Sequence, residues 1–228
     1  MTATHAPGGH DHDAHRTAVR SPTGGRETAL ARARLLNRIS IGWNALESIV
    51  ALAAGIAAGS ISLIGFGLDS VIEVSASLVL AWRLAREGRE GCTQSDDRRA
   101  TKAVAVSFFA LAGYVGIEAV RELASRADPE ASAVGIVLAA LSLVTMPALA
   151  RAKRRVAPVL GSRAQMVEAN QTTLCALLSG VLLLGLIANA TFDWWWADPG
   201  AAIVIALLAA REGVRAWRAE SLADTCCA

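Results

Sequence analysis

The sequence is poor in charged and aromatic residues, and its four histidines are confined to the first fifteen positions. Charged residues make up 18% of the 228 residues and aromatic residues 5%, whereas a soluble domain is about 25% charged. The four cysteines form no paired framework of the kind that holds small secreted domains together. The net charge of +2 argues against a nucleic-acid-binding protein, which needs a strong basic field. What remains is apolar, with 54% hydrophobic residues and a mean hydropathy of +0.41, and this composition predicts an integral membrane protein.

Six apolar runs are long enough to cross a bilayer, which takes about 20 residues of helix. They are Ile39–Ala58, Ile61–Trp82, Ala103–Val120, Ala131–Ala150, Gln165–Ala188 and Pro199–Trp217. We therefore predict an all-α membrane protein with three parts: a disordered polar leader (1–37), a six-helix transmembrane domain (38–218) and a short tail (219–228). The leader is too long and too polar to be a cleaved signal peptide.

The basic residues are distributed unevenly between the predicted loops. All but two of the 22 Lys and Arg lie in the two terminal segments and in the loops that follow spans two and four; the exceptions are Arg121 and Arg126. By the positive-inside rule, both termini face the cytoplasm. An odd number of spans would destroy this asymmetry, so the pattern also supports six.

Acidic residues inside the predicted spans require an explanation, because a charge at mid-membrane costs at least about 2.5–3.5 kcal/mol. Glu118 lies beside Arg121 near one end of its span, which predicts a surface pair. The other spans contain no Lys or Arg that is predicted to lie deep enough to neutralise an acid. The acids left without a cation are Glu47, Asp69, Glu73 and Glu168. An unpaired acidic cluster in a helical bundle indicates binding of cations or protons.

Asp69 and Glu73 are four residues apart, so both carboxylates lie on one face of the second span. An internal repeat supports their importance. Gly59-Ser60 and Gly161-Ser162 are related by an offset that also aligns Asp69 with Gln171 and Glu73 with Cys175. Two halves of three spans each must be inverted relative to one another, and inverted repeats with a midplane site are typical of secondary transporters.

The run from Gly59 to Ser77 resembles the second transmembrane helix of the cation diffusion facilitator family, in which an Asp-x-x-x-Asp pair corresponds to Asp69 and Glu73. The segment Trp196-Ala-Asp-Pro199, with Glu212-Gly213 further on, resembles the start and exit of that family's sixth helix. The resemblance covers about residues 30–220. It implies a six-helix, homodimeric exporter of Zn²⁺ or related ions in exchange for protons, with no cofactor.

The fifth span departs from the family pattern Ala-Asp-x-x-His-x-x-x-Asp. Glu168 keeps the acid, but Gln171 replaces the histidine and Cys175 replaces the second aspartate. The resemblance therefore implies a metal site of Asp69, Glu73, Gln171 and Cys175. The family's cytoplasmic metal-binding domain has no counterpart after the sixth span, as in the family's short branch. A carboxylate and thiolate set favours Zn²⁺, Cd²⁺ or copper over Mg²⁺ or Mn²⁺, with Co²⁺ and iron as further candidates.

Several residues keep two interpretations at this point. Glu168, Glu47 and Asn44 form either an outer shell or proton path for the site, or ordinary hydrogen bonds between helices. Cys175 taken alone is a small buried apolar residue. The leader histidines either capture metal in the cytoplasm or are incidental to a disordered tail; they are His5, His10, His12 and His15.

The preferred function is export of divalent heavy metal, Zn²⁺ first, across the inner or plasma membrane, with protons as the exchanged ion. The alternative is a membrane protein of the same origin that binds or senses metal without transporting it. No HExxH, GxSxG or paired-aspartate protease motif with its usual flanking residues is present, so an enzyme is not expected. Asp198 precedes Pro199 and is predicted to have a structural role at the start of the sixth helix.

Overall fold

A computed structural model describes residues 22–86, 94–126, 129–160 and 163–218 of the chain. In these residues the backbone forms six α-helices and no strand, which confirms the all-α prediction. The helices are α1 (Pro22–Ala58), α2 (Ile61–Arg86), α3 (Gln94–Ser125), α4 (Ala133–Leu160), α5 (Arg163–Phe192) and α6 (Ala197–Arg218).

The distribution of side chains in the bundle is that of a protein surrounded by lipid. Large apolar residues cover the outside, including Ile49, Ile56, Val144 and Leu184, while serines, asparagines and acids are buried inside. Five helices, α1 to α5, are long and apolar enough to cross a membrane. The chain is therefore a multi-pass membrane protein.

The sixth predicted span forms a helix, but α6 is not among the helices whose apolar stretch is long enough to count as a membrane span. Its 22 residues give a length of about 33 Å, enough for a hydrocarbon core of about 30 Å. Asp198 in its first turn and the charged residues from Arg211 onward shorten the apolar stretch. Its outward face is nevertheless apolar at Val204 and Leu207. The crossing of the membrane by α6 stays a prediction.

The packing pairs each helix of the first half with its counterpart in the second half. Helix α1 packs against α4, α2 against α5, and α3 against α6. Helix α1 also packs against α2, and α4 against α5, so the inverted relation of the two halves stays a prediction. The Gly161-Ser162 part of the repeat lies outside the described residues, as do Cys92, the leader histidines and the Cys226-Cys227 pair.

Three helices, α1, α3 and α4, extend well beyond the predicted spans, and the extensions of α1 and α4 meet each other. Helix α1 begins at Pro22, so part of the leader predicted as disordered is helical, and α4 continues past Ala150 to Leu160. The physical reason is that the two extensions pack against each other through small and apolar residues. Ala29, Ala33 and Leu36 of α1 form one buried cluster with Leu149 and Val156 of α4.

At the opposite end of the bundle, Asp198 connects α6 to the start of α2. Its fully buried carboxylate accepts hydrogen bonds from the hydroxyls of Ser60 and Ser62 and from the Ser62 backbone N–H, at 3.3 Å from Asp198 Oδ2. The carboxylate thus serves one of the N–H groups that the first turn of α2 leaves without a partner. Asp198 lies in the first turn of α6, as predicted, but the hydrogen bonds that it accepts come from α2.

Gly185 of α5 packs closely against α6, and this contact yields a prediction. A Cβ atom there would lie 2.7 Å from Ala201 Cβ, so Gly185→Ala forces the helices apart. We expect it to destabilise the protein by about 1–3 kcal/mol, the usual cost of overpacking a core. Thermal unfolding in detergent, followed by circular dichroism, measures the effect.

Gly42→Ala is the matched control, because a Cβ atom at Gly42 meets no heavy atom within 4 Å and alanine favours the helix. It should leave the melting temperature unchanged or raise it. Equal effects of the two substitutions would contradict the close packing of α5 on α6.

Candidate metal site

Helices α2 and α5 bring three metal-ligating side chains together inside the bundle. Asp69 and Glu73 lie on one face of α2, at 4% and 6% exposure, and Cys175 of α5 is fully buried beside them. One carboxylate oxygen of each acid and the cysteine Sγ all lie within 4.8 Å of one another. In the part of the chain that the structure describes, these three residues are the group that could hold a metal ion.

Asp69 and Glu73 also face a narrow crevice between α2, α3, α5 and α6, and Cys175 is not part of its lining. Its polar wall is formed by Asp69, Glu73, Gln171 and Glu212, and its apolar wall includes Phe108. Gln171 is half-buried, one helical turn from Cys175. The crevice thus places Gln171 beside the two acids, whereas Cys175 lies within 4.8 Å of their oxygens without lining the crevice.

The spacing of these ligand atoms suits a small cation after a minor adjustment. In a tetrahedral zinc site with bonds of about 2.0–2.3 Å, ligand atoms lie roughly 3.3–3.8 Å apart. The observed limit of 4.8 Å exceeds that by about 1 Å, a gap that rotation of the side chains can close. Gln171 lies on the wall of the same crevice, where its amide oxygen offers a fourth donor.

The buried carboxylates differ sharply in how many hydrogen-bond donors they receive. Asp198 receives three, from Ser60 just before α2 and from Ser62 in its first turn. Glu73 receives one, from Asn44 Nδ2 at 2.7 Å, and within the described ranges Asp69 receives neither a hydrogen bond nor an ion pair. Burying a carboxylate without a hydrogen-bond donor or a cation is costly. Asp69 and Glu73 are therefore the acids of this site at which a bound cation would compensate most.

Glu47 of α1 lies behind Cys175 and is fully partnered. It accepts hydrogen bonds from Ser142 and from Ser70, the latter at 3.0 Å, and the Cys175 thiol is 3.7 Å from its Oε2. Through Asn44 and Glu47, α1 contacts one acid and the thiol of the candidate site. Both residues therefore hydrogen-bond between helices beside the candidate ligands, and their role as an outer shell or proton path stays a prediction.

Glu168 differs from the other predicted site residues, because a buried lysine pairs with it. Lys153 Nζ lies 3.0 Å from Glu168 Oε1, and the two side chains are 1% and 6% exposed. The expectation that no Lys or Arg lies deep enough to neutralise an acid was wrong. It failed because Lys153 belongs to the basic run Arg151–Arg155, which the sequence places in a loop and the structure places inside α4. Glu118, by contrast, pairs with Arg121 at the surface as predicted.

Glu212 is the residue that the sequence interpretation left out of the site. It was placed near the exit of the sixth span, yet it lines the same crevice as Asp69 and Glu73 and pairs with Arg215 at 2.8 Å. The sequence carried no signal for this position, because it depends on how α6 packs against α2 and α3.

Comparison with known proteins adds one match. The family model for the cation efflux transmembrane domain matches residues 100–222, which is more than half of the chain. The match includes Gln171, Cys175 and Glu212, whereas Asp69 and Glu73 precede it. No curated protein matches the chain.

The Asn44 contact yields a prediction about the site. Asn44→Ala removes the one hydrogen bond to Glu73 and should weaken Zn²⁺ binding by about tenfold, because residues that orient a metal ligand typically contribute this much. Titration of the purified protein with Zn²⁺ against a competing chelator measures the affinity.

Asn170→Ala is the control, since Asn170 is an exposed amide of α5 that contacts Arg154. It should leave the affinity unchanged. All proteins in this comparison carry alanine at the four leader histidines, so that the leader does not contribute. Full affinity of the Asn44→Ala protein would show that Glu73 needs no support from α1.

Proposed function

Since the chain belongs to the cation efflux transmembrane family, we propose that it exports divalent heavy-metal cations from the cytoplasm by alternating access around Asp69, Glu73, Gln171 and Cys175. Members of this family are transporters and not enzymes. The observation that carries the proposal is the convergence of two carboxylates and a thiol, within 4.8 Å and buried, in an apolar bundle. Such a site suits a cation that must leave its water behind to cross the membrane.

The ligand set favours Zn²⁺ as the main substrate. Two carboxylate oxygens and one sulfur suit a tetrahedral ion of borderline softness, whereas Mg²⁺ prefers six oxygen ligands in a near-octahedral arrangement. The amide of Gln171 adds a neutral oxygen and carries no charge of its own. Cd²⁺, Co²⁺, iron and copper bind the same donors, and the thiol shifts the preference towards the softer ions among them.

Exchange with protons is the form of energy coupling that this site supports. Ligands must be deprotonated to bind a metal, so metal binding releases protons and metal release takes them up again. Gln171 cannot titrate, so the exchange relies on Asp69, Glu73 and Cys175. This arrangement works with fewer titrating groups than a site that contains a histidine.

The setting of this transport follows from the family and the charge distribution. We propose a homodimer in the inner or plasma membrane, with both termini in the cytoplasm as the basic loops indicate. The histidine-containing leader would then lie on the side from which metal is captured, and capture by the leader is part of the proposal.

The main alternative is a membrane protein that binds or senses metal without transporting it. The loss of the histidine and the second aspartate from the family pattern motivates this alternative. Both functions require the same metal site, and they differ only in whether bound metal crosses the membrane.

Metal uptake into proteoliposomes tests the proposal. We expect Asp69→Asn and Glu73→Gln each to reduce Zn²⁺ uptake at least about tenfold, because each removes a charged ligand from a buried site. A fluorescent zinc indicator inside the vesicles reports the initial rate. An acidic vesicle interior should accelerate uptake by the wild-type protein, because protons leaving the vesicle drive metal entry.

Glu118→Gln is the control, since Glu118 pairs with Arg121 at the surface, far in sequence from the ligands. It should transport like the wild type. Uptake that survives both site substitutions would contradict the proposed site, and rates that ignore the pH gradient would contradict proton exchange. Tight binding without uptake by the wild type would establish the sensor.

A further inference from the structure

The buried pair of Lys153 and Glu168 has no role in the function described so far. Lys153 is the one buried Lys or Arg in the described part of the chain, at 1% exposure. A buried ion pair recovers its desolvation cost only with good geometry and additional hydrogen bonds, and apolar residues often stabilise a core equally well. The presence of the pair in an apolar bundle therefore calls for a role beyond stability.

The pair joins three helices through a small hydrogen-bond network. Lys153 of α4 donates to Glu168 Oε1 at 3.0 Å and to Thr172 Oγ1 at 3.1 Å, both on α5. Ser77 of α2 donates to the same Glu168 oxygen at 3.4 Å. We call these four residues the α2–α4–α5 clasp.

The clasp lies next to the candidate ligands on both helices that carry them. Ser77 is one turn from Glu73 on α2, about 6 Å along the axis, and Thr172 is three residues, about 4.5 Å, from Cys175 on α5. Since the ligands come from two helices, their separation depends on how α2 and α5 are held together. A metal site needs its ligands held within about 0.5 Å of the productive geometry.

We infer that the Lys153–Glu168 pair is a positioning device that holds α5 against α2 and keeps Cys175 in reach of Asp69 and Glu73. This inference rests on the proposed function, because it concerns the same metal site. Glu168 is not part of the ligand group formed by Asp69, Glu73 and Cys175, and a lysine ammonium has no lone pair to offer a metal. Among the described residues, Lys153 is the cation that pairs with Glu168, whose Oε2 has no partner.

Cadmium binding tests this role through a spectroscopic signal specific for the thiol. In a full-length protein with Cys92, Cys226 and Cys227 replaced by alanine, Cys175 is the only thiol, and its bond to Cd²⁺ gives an ultraviolet charge-transfer band. The neutral double variant Lys153→Met with Glu168→Gln leaves no buried charge unpaired, so it should fold with a melting temperature near that of its parent. We expect this double variant to bind Cd²⁺ about tenfold more weakly, with a reduced band at saturation, because the clasp is lost.

Two further variants complete the test. Lys153→Arg keeps the charge and should remain within about threefold of the parent in Cd²⁺ affinity, because the ion pair can re-form. Arg154→Met is the matched control: Arg154 is the exposed neighbour of Lys153 on α4 and contacts Thr173 of α5 at 2.9 Å. It removes a surface contact between the same two helices and should leave both affinity and band unchanged.

The outcomes separate the clasp from the site itself. A folded double variant with the parent's affinity and full band would overturn the positioning role, as would an equal loss in the Arg154→Met protein. If Asp69→Asn and Cys175→Ser also leave Cd²⁺ binding unchanged, the proposed site is wrong, whatever the clasp does. If those two substitutions abolish binding while the double variant keeps it, only the clasp is wrong.

Discussion

The structure depends on how an apolar bundle accommodates buried acids with almost no buried positive charge. Five carboxylates are buried in the described residues, at Glu47, Asp69, Glu73, Glu168 and Asp198, against one buried lysine. Hydroxyl, thiol and backbone donors satisfy Glu47 and Asp198, and Lys153 pairs with Glu168. The two acids of α2 that face the crevice, Asp69 and Glu73, are left with few hydrogen-bond donors and no paired cation among the described residues. A divalent cation bound by residues of α2 and α5 would compensate the negative charge of these two acids.

The helical framework holds this site from both sides along α2. On one side, Ser60 and Ser62 bind the carboxylate of Asp198 and thereby fix the start of α2 to α6. On the other side, Ser77 reaches Glu168 and thereby fixes α2 to α5. The two ligands of α2 lie between these attachments. A conformational change that exposes the site to the other face of the membrane must therefore alter at least one of them, since α2 cannot move freely while both are intact.

Periodicity and charge were sufficient to predict much of this arrangement, because they depend on local sequence. The helix bearing Asp69 and Glu73 begins at the predicted residue, and the repeat offset pairs these acids with Gln171, which lines the same crevice, and with Cys175, which lies within 4.8 Å of both acids. The burial of Lys153 was not predictable, because a basic run after an apolar stretch has the same local pattern whether the helix stops or continues. Whether this run is buried depends on the packing between the extensions of α1 and α4. These extensions are far apart in the sequence, so a local pattern does not reveal their contact. The position of Glu212 was missed for a related reason, since it depends on how α6 packs against α2 and α3.

X-ray absorption at the zinc edge tests the central claim most directly. The sample is the full-length protein with its four leader histidines and Cys92, Cys226 and Cys227 replaced by alanine, loaded with one equivalent of Zn²⁺. The account predicts one sulfur at about 2.3 Å with the remaining ligands oxygen at about 2.0–2.2 Å, and loss of the sulfur shell in the Cys175→Ser protein. A shell of oxygen alone that does not change on this substitution would contradict a site shared by α2 and α5.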